Sequence, residues 1–453
     1  MAAQAERGQS SDRVTRIPGD SLVRLPSSTK GLLIAICAVL WAPSAAAAAT
    51  GPCDPEKSSP SCHISYGTVT FIGDGDTISV RLDDHKKDPP RRIRVSGIQA
   101  MEEYVYTTDV AQRRGECQAG EATARLESLV HQSRNRVQLA GQSDTSSSRG
   151  RPIRQVRVYI GGMWRDAGRI LLDEGLVLPL GFKSEWAMNA TYSKLAQRAA
   201  QKRIGIWNSY YCGPGPDDFA YLRVWVNSNP PGNDRDNPNG EWVKVRNLDP
   251  SKPVSLDGWW LRDSALRRYV FPAGTTVPGG GTVTVFVGPG TNTASEFFWG
   301  QGSGVFDNVT SEGGGDGAYL FDTEGDLRAW MVYPCRYRCS DPLAGALKVV
   351  AHPKGTEYVK ITNTSNSPVN LEGYQLAAGQ HSYPFPAGTI VQSGETLRID
   401  VVGDPAEDQP LHKYWTPEDR TFLYNAGGSA RVSTFDSIVV GCDSWGTGSC
   451  PSR

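Results

Sequence analysis

The stretch GTVTFIGDGDTISVRLDDHKKDPPRRIRVSGIQAME, Gly67 to Glu102, decides how the first third of this chain folds. Its alternation of apolar and polar residues predicts a strand up to Asp74, a tight Asp-Gly turn at Asp74 and Gly75, and a second strand from Thr77. A charged loop then leads to a third strand from Arg92 to Ile98. Three strands therefore converge on a few polar side chains. Asp76, Arg94 and Glu102 each sit where a strand meets its turn, so their side chains can be aimed into a cleft.

Working outward, the block from Ile64 to about Trp207 reads as strands first and helices interleaved afterwards. Apolar residues at Ala119, Ala122, Leu126 and Leu129 predict a helix within Asp109 to His131. Arg151 to Ile160 alternates like a strand, Asp166 to Leu176 reads as a short helix closed by Gly175, and Ser184 can cap a helix running to Lys202. The Gly- and Pro-rich IGIWNSYYCGPGP then marks a boundary. At 453 residues the chain exceeds one core, and about 150 residues per domain suggests three. Lys and Arg outnumber Asp and Glu from Ile64 to Tyr211, and the balance reverses afterwards. The first block is the one suited to a polyanion.

Residues 1–49 read as a leader: basic residues at Arg13, Arg16, Arg24 and Lys30, the apolar run GLLIAICAVLWA, then small residues suited to cleavage near Ala48 or Ala49. A retained membrane anchor is the competing reading, although about a dozen apolar residues is short for a span. Of nine cysteines, Cys37 falls in this leader and eight follow. An even number in an exported chain favours disulfides. Cys53 with Cys62, Cys335 with Cys339 and Cys442 with Cys450 are local candidates, and Cys117 with Cys212 would tie the helical region to the block's end. Zinc at Cys335 and Cys339 competes poorly, because no histidine or second pair stands at ligand spacing.

The cleft residues suit phosphodiester hydrolysis. That reaction needs an activated water, positive charge on the phosphoryl oxygens and usually a divalent cation. Glu102 can act as base, Arg94 and Arg151 supply planar bidentate donors, and Asp76 offers a hard oxygen of the kind calcium prefers. Each has a plain alternative as a turn residue or a solvated charge. Their order and spacing are more specific than any one of them.

The order DGDT at Asp74, RVSGIQAME at Arg94, GRPIRQV at Gly150, EGL at Glu174 and RIGIW at Arg203 resembles the staphylococcal nuclease-like (thermonuclease) domain over about residues 64–211. The resemblance implies an α+β, five-stranded oligonucleotide/oligosaccharide-binding (OB-fold) barrel with packed helices that cleaves DNA and RNA with calcium. It further implies that Asp76 is a metal ligand with Gln99 and the Ala100 carbonyl beside it. Arg94 becomes a phosphate clamp, Glu102 the water-activating group and Arg151 the second transition-state arginine. Two departures stand out. Gln99 occupies the place of the second metal carboxylate, and Met101 the place of a proline. The segment before Arg151 is longer than in relatives, so Arg149 and Arg154 are the alternatives there.

After a linker the chain repeats itself. GEWVKVRN from Gly240 aligns with GTEYVKITN from Gly355, placing Glu241 on Glu357, Asn247 on Asn363 and FPAGT at Phe271 on FPAGT at Phe385. Short alternating strands with Gly, Pro and Asn turns predict two all-β immunoglobulin-like sandwiches, residues 218–338 and 343–450, and residues 50–63 read as a linker before the first block. The pair resembles lamin-tail domains. Trp242 and Trp259 read as core anchors, and no spacing of acids, histidines or nucleophiles in this half suggests chemistry. Two functions follow: a secreted calcium-dependent nuclease positioned by its sandwiches on a cell-envelope partner, or a non-catalytic nucleic-acid or envelope-binding protein whose site Gln99 has disabled.

Overall fold

A computed structural model of the chain describes residues 49–57, 59–103, 115–210, 221–230, 233–310, 313–416 and 420–451. The expected leader, save Ala49, and Cys212 lie outside them. In the N-terminal block the strands are β1 (Ala49–Pro52), β2 (Ser61–Asp74), β3 (Thr77–Leu82), β4 (Arg91–Val95) and β5 (Ile98–Ala100), followed by helix α1 (Ala119–Gln132). Then come β6 (Arg136–Gly141), β7 (Ser147–Ser148), β8 (Arg151–Ile160), β9 (Met163–Asp166), α2 (Ala167–Asp173), β10 (Val177–Pro179) and α3 (Asn189–Lys202). Hydrogen bonds run from β2 to β3, β4, β8 and β6, and β6 pairs back onto β2. All these pairings are antiparallel except β4 with β8.

Alternation decides which faces of these strands are buried. Ile78 and Val80 of β3, Ile93 and Val95 of β4, Val137 and Leu139 of β6 and Val156 and Val158 of β8 point into one apolar core. α1 closes it with Ala122, Leu126 and Leu129, the residues its spacing predicted. α2 starts where Asp166 accepts from Arg169 N at 3.2 Å. α3 starts later than expected: a short 3-10 turn, Trp186–Met188, precedes it, and the Ser184 hydroxyl bonds Ser146 instead of capping a helix. Residues 50–63, expected as a linker, are built into the sheet. β1 pairs with β2, the Cys53–Cys62 disulfide closes the hairpin, and Arg157 Nη2 donates to Pro52 O and Cys53 O.

The expected strand Arg92 to Ile98 is broken. Gly97 has φ +78°, and a Cβ there would lie 2.0 Å from the Tyr192 ring, so both backbone and space require glycine. The turn sends β5 away from β4 to pair with β10.

The two sandwiches have matching sheets. In the first, Leu222–Asn227, Trp242–Asn247, Thr282–Phe286 and Glu296–Phe298 face Arg268–Val270, Trp260–Arg262, Asp316–Phe321 and Leu327–Tyr333. The second repeats the order with Leu347–His352, Tyr358–Asn363, Thr396–Val402 and His412–Thr416 against His381–Pro384, Tyr374–Ala378, Gly427–Thr434 and Val439–Gly446. The aligned residues do aligned work. Glu241 accepts the backbone N–H groups of Val305 and Phe306, and Glu357 those of Phe422 and Leu423. Asn247 donates to Lys252 O and Val277 O, as Asn363 does to Ser367 O and Val391 O. Each pair ties a loop to the sheet from within, which satisfies buried backbone groups that water cannot reach.

The first sandwich is buried on both faces of one sheet. Leu261, Ala318 and Leu320 point to its own core, whereas Trp260, Tyr319 and Phe321 join the core of the N-terminal block, and Trp207 stacks edge-on to Trp330 at 5.2 Å between ring centres. Its opposite sheet receives the second sandwich: Trp242 meets Phe435 at 5.0 Å, and Arg246 pairs with Glu372. The second sandwich keeps a separate core around Val359, Leu376 and Ile399.

Candidate active site

The Asp-Gly turn places the first site residue. Asp74 Oδ1 accepts from Asp76 N at 2.9 Å, an Asx turn that aims Asp76 inward to 4 % exposure. There Asp76 Oδ1 takes the Thr77 hydroxyl at 2.9 Å and Arg94 Nη1 at 2.8 Å, and Oδ2 takes the Ala100 N–H at 3.0 Å. Burial raises the Asp76 carboxyl above the usual carboxylate range, and the Arg94 guanidinium opposes that rise.

Arg94 comes from β4, which pairs with β3 so that Arg94 lies opposite Thr77. Its side chain is 3 % exposed. Nη1 also lies 3.4 Å from the carbonyls of Asp76 and Val95, and Nη2 donates to Gln99 Oε1 at 2.6 Å. The break at Gly97 turns Gln99 to receive it. Gln99 Nε2 in turn donates to Ala100 O at 3.1 Å and to Glu102 Oε1 at 2.9 Å.

Glu102 is half-buried just beyond β5. Desolvation, then the charges of Glu116 and Asp76, push its carboxyl up to about 7, against the pull of Arg262. Arg151 starts β8, and its Nη1 donates to the Thr77 hydroxyl at 2.9 Å, so Thr77 links it to Asp76. Burial and the neighbouring Arg94 lower the Arg151 pKa. Of the alternatives, Arg154 is held elsewhere: its Nη1 and Nη2 donate to the carbonyls of Ser143 and Asp144. Arg149 has positive φ, +49°, in the turn before β8.

All six expected residues therefore meet: Asp76, Arg94, Gln99, Ala100 and Glu102 directly, and Arg151 through Thr77. Arg94 differs from the expected clamp. Arg94 Nη1 and Nη2 already serve Asp76 and Gln99, so it braces the framework. Arg151 donates from Nε to Ser148 O and from Nη1 to Thr77, and its Nη2 has no protein acceptor among the described residues.

The calcium expected from the resemblance does not fit the donor set. Only one carboxylate contributes, and both of its oxygens accept N–H or O–H groups. Gln99 Oε1 is taken by Arg94, and Ala100 O by the Gln99 amide. Calcium requires six to eight oxygens with their lone pairs available, and a guanidinium bridging two of them competes for the same place.

Reading the sequence alone missed Thr77, Glu116, Arg262 and Arg268. Glu102 N donates to Glu116 Oε2 at 2.9 Å, and Glu116 pairs with both arginines of the first sandwich. A signal existed: in the strand Trp260–Arg262 of an antiparallel sandwich, Leu261 takes the core face and a tryptophan stands on the other, which points to a covered outer face.

Of the expected disulfides, Cys53–Cys62, Cys335–Cys339 and Cys442–Cys450 are formed. Cys117 is also disulfide-bonded. No helix of the described residues is long and apolar enough to cross a membrane. Residues 224–335 and 346–438 match the model of the Lamin Tail Domain, which spans most of the two sandwiches, Arg262 and Arg268 among them, and leaves Asp76, Arg94, Gln99, Glu102 and Arg151 outside. No curated protein matches the chain.

Proposed function

We propose that the chain is an exported, thermonuclease-like hydrolase of DNA or RNA phosphodiesters, with an OB-type barrel as its N-terminal block and sandwiches that position it on a cell-envelope partner. The observation that carries the reading is Glu102: a half-buried carboxyl raised to about 7, joined through Gln99, Arg94, Asp76 and Thr77 to Arg151. A base with that pKa is substantially ionised at neutral pH yet still basic enough to take a proton from water. In the proposed step Glu102 accepts that proton as the water oxygen bonds to phosphorus. The opposite P–O bond breaks, and the leaving alkoxide takes a proton from solvent. Arg151 faces the charge that builds on the non-bridging oxygens. No step runs through calcium. Disulfides closing short loops support the exported location.

The test is incubation of the full chain with plasmid, single-stranded DNA and RNA, each with calcium and with chelator. We expect cleavage in both conditions and a loss of about 100-fold or more in Glu102→Gln. Undiminished cleavage by that variant removes Glu102 as the base, and no cleavage by the parent removes the hydrolase reading. A second reading is favoured by the neutral Gln99 amide in place of a ligand carboxylate: a non-catalytic nucleic-acid-binding block. Retained binding of single strands without cutting is its signature.

A further inference from the structure

Three backbone residues, Gly115 to Cys117, separate the candidate site from the first sandwich. On the site side Glu116 N donates to Glu102 O at 2.8 Å, and Glu102 N donates to Glu116 Oε2 at 2.9 Å. On the sandwich side Cys117 N donates to Gly325 O at 2.9 Å. The Glu116 carboxylate also meets two guanidiniums of the sandwich: Arg262 Nε lies 2.9 Å from Oε1, Arg262 Nη2 donates to Oε2 at 2.9 Å, and Arg268 Nη2 donates to Oε1 at 3.0 Å. The side chains of Glu116 and Arg262 are 0 % exposed, and that of Arg268 is 21 % exposed. Both layers fit closely. A Cβ on Gly115 would stand 2.4 Å from Glu103 O, and one on Gly325, whose φ is +86°, would stand 2.8 Å from Gly115 O.

We infer that the first sandwich is a working part of the site: Arg262 and Arg268 are positioning residues that, through Glu116, hold the Glu102 peptide and so set where its carboxylate stands. The inference rests on the reading of Glu102 as the base. If these charges only glued two bodies together, Glu116 would need no partner beyond the arginines, and an apolar contact would seal the interface at least as well. Instead the same oxygen that meets Arg262 also takes the Glu102 N–H. Glu102 is thus fixed at two points, its peptide by Glu116 and its side chain by Gln99. Misplacing a reacting group by about 1 Å can lower a rate by about 100-fold, so the anchor lies where it matters for rate.

The experiment compares Arg268→Gln, Arg268→Lys and Glu116→Gln in the full chain. It reads amide hydrogen exchange at residues 99–103 and the kinetics of cleavage of a p-nitrophenyl phosphodiester. We expect Arg268→Gln to speed exchange at 99–103 about tenfold, leave the strand 316–321 at parental rates, and lower kcat about tenfold or more with KM unchanged. Arg268→Lys should restore both, because it returns a cation to Glu116. Glu116→Gln should give the larger effect of the same kind. Parental exchange at 99–103 in the folded variants overturns the inference, as does an equal rise at 99–103 and 316–321. If Glu116→Gln does not fold, the partly exposed Arg268 decides. An inactive parent with the expected exchange pattern rejects the hydrolase reading and leaves the positioning standing.

Discussion

At Gln99 a neutral amide joins two groups of unlike character, accepting from Arg94 and donating toward Glu102. A carboxylate at that position could do the first and not the second. Gln99→Asp should therefore gain what the parent lacks, a second anionic ligand beside Asp76. We expect its melting temperature to rise by about 2 °C or more in millimolar calcium while the parent stays unmoved; an equal rise in the parent shows that its own donors hold the ion. Glu102 gives a pH signature. Its folded pKa of about 7 lies above the ordinary carboxylate value, so the protonated form favours folding. That stability is fully present below about pH 4.5 and is lost as pH rises through 7. Glu102→Gln should match the parent near pH 4 and exceed it by about 1–2 kcal/mol at pH 8, after allowance for solvent screening. Urea titrations at both pH values measure this, and equal stability at pH 8 contradicts it.

Between residue and domain, the element that shapes the site is the break at Gly97. Gly97→Ala would force both a left-handed backbone and a collision with Tyr192, and should cost about 3 kcal/mol or more in chemical denaturation. The strand-turn-strand before it was legible in the sequence because Asp-Gly turns and two-residue alternation are local signals. The break was not, because RVSGIQ keeps alternating and the reason for the turn is a ring nearly a hundred positions away. The repeat was legible in the same local way, through Glu241, Asn247 and their partners. What those residues do was not. Asn363, fully buried, donates to two carbonyls and accepts from Ser365 N at 2.9 Å, so Asn363→Ala should lower the stability of the second sandwich by about 2–4 kcal/mol, read as an earlier unfolding step in calorimetry.

On the scale of the molecule, alternation and turns predicted three bodies, and pattern alone could not say which of them share a core. Trp260, Tyr319 and Phe321 close the N-terminal block, so that block and the first sandwich should melt together, and the second sandwich in a transition of its own. Scanning calorimetry with site-specific exchange distinguishes this from three independent transitions. The two predicted arginines of the site lie within the first block, but the two that brace Glu116 belong to another body, on an outer face that they share with Trp260 and that only its tryptophan marks as covered. In evolutionary terms the shared core has a consequence. Recombination that exchanged the first sandwich for an unrelated one would strip the N-terminal block of its apolar cover and of the cations on Glu116 in one event. These two segments are therefore expected to be inherited as one unit, and the second sandwich, which carries a core of its own, is the segment expected to vary independently.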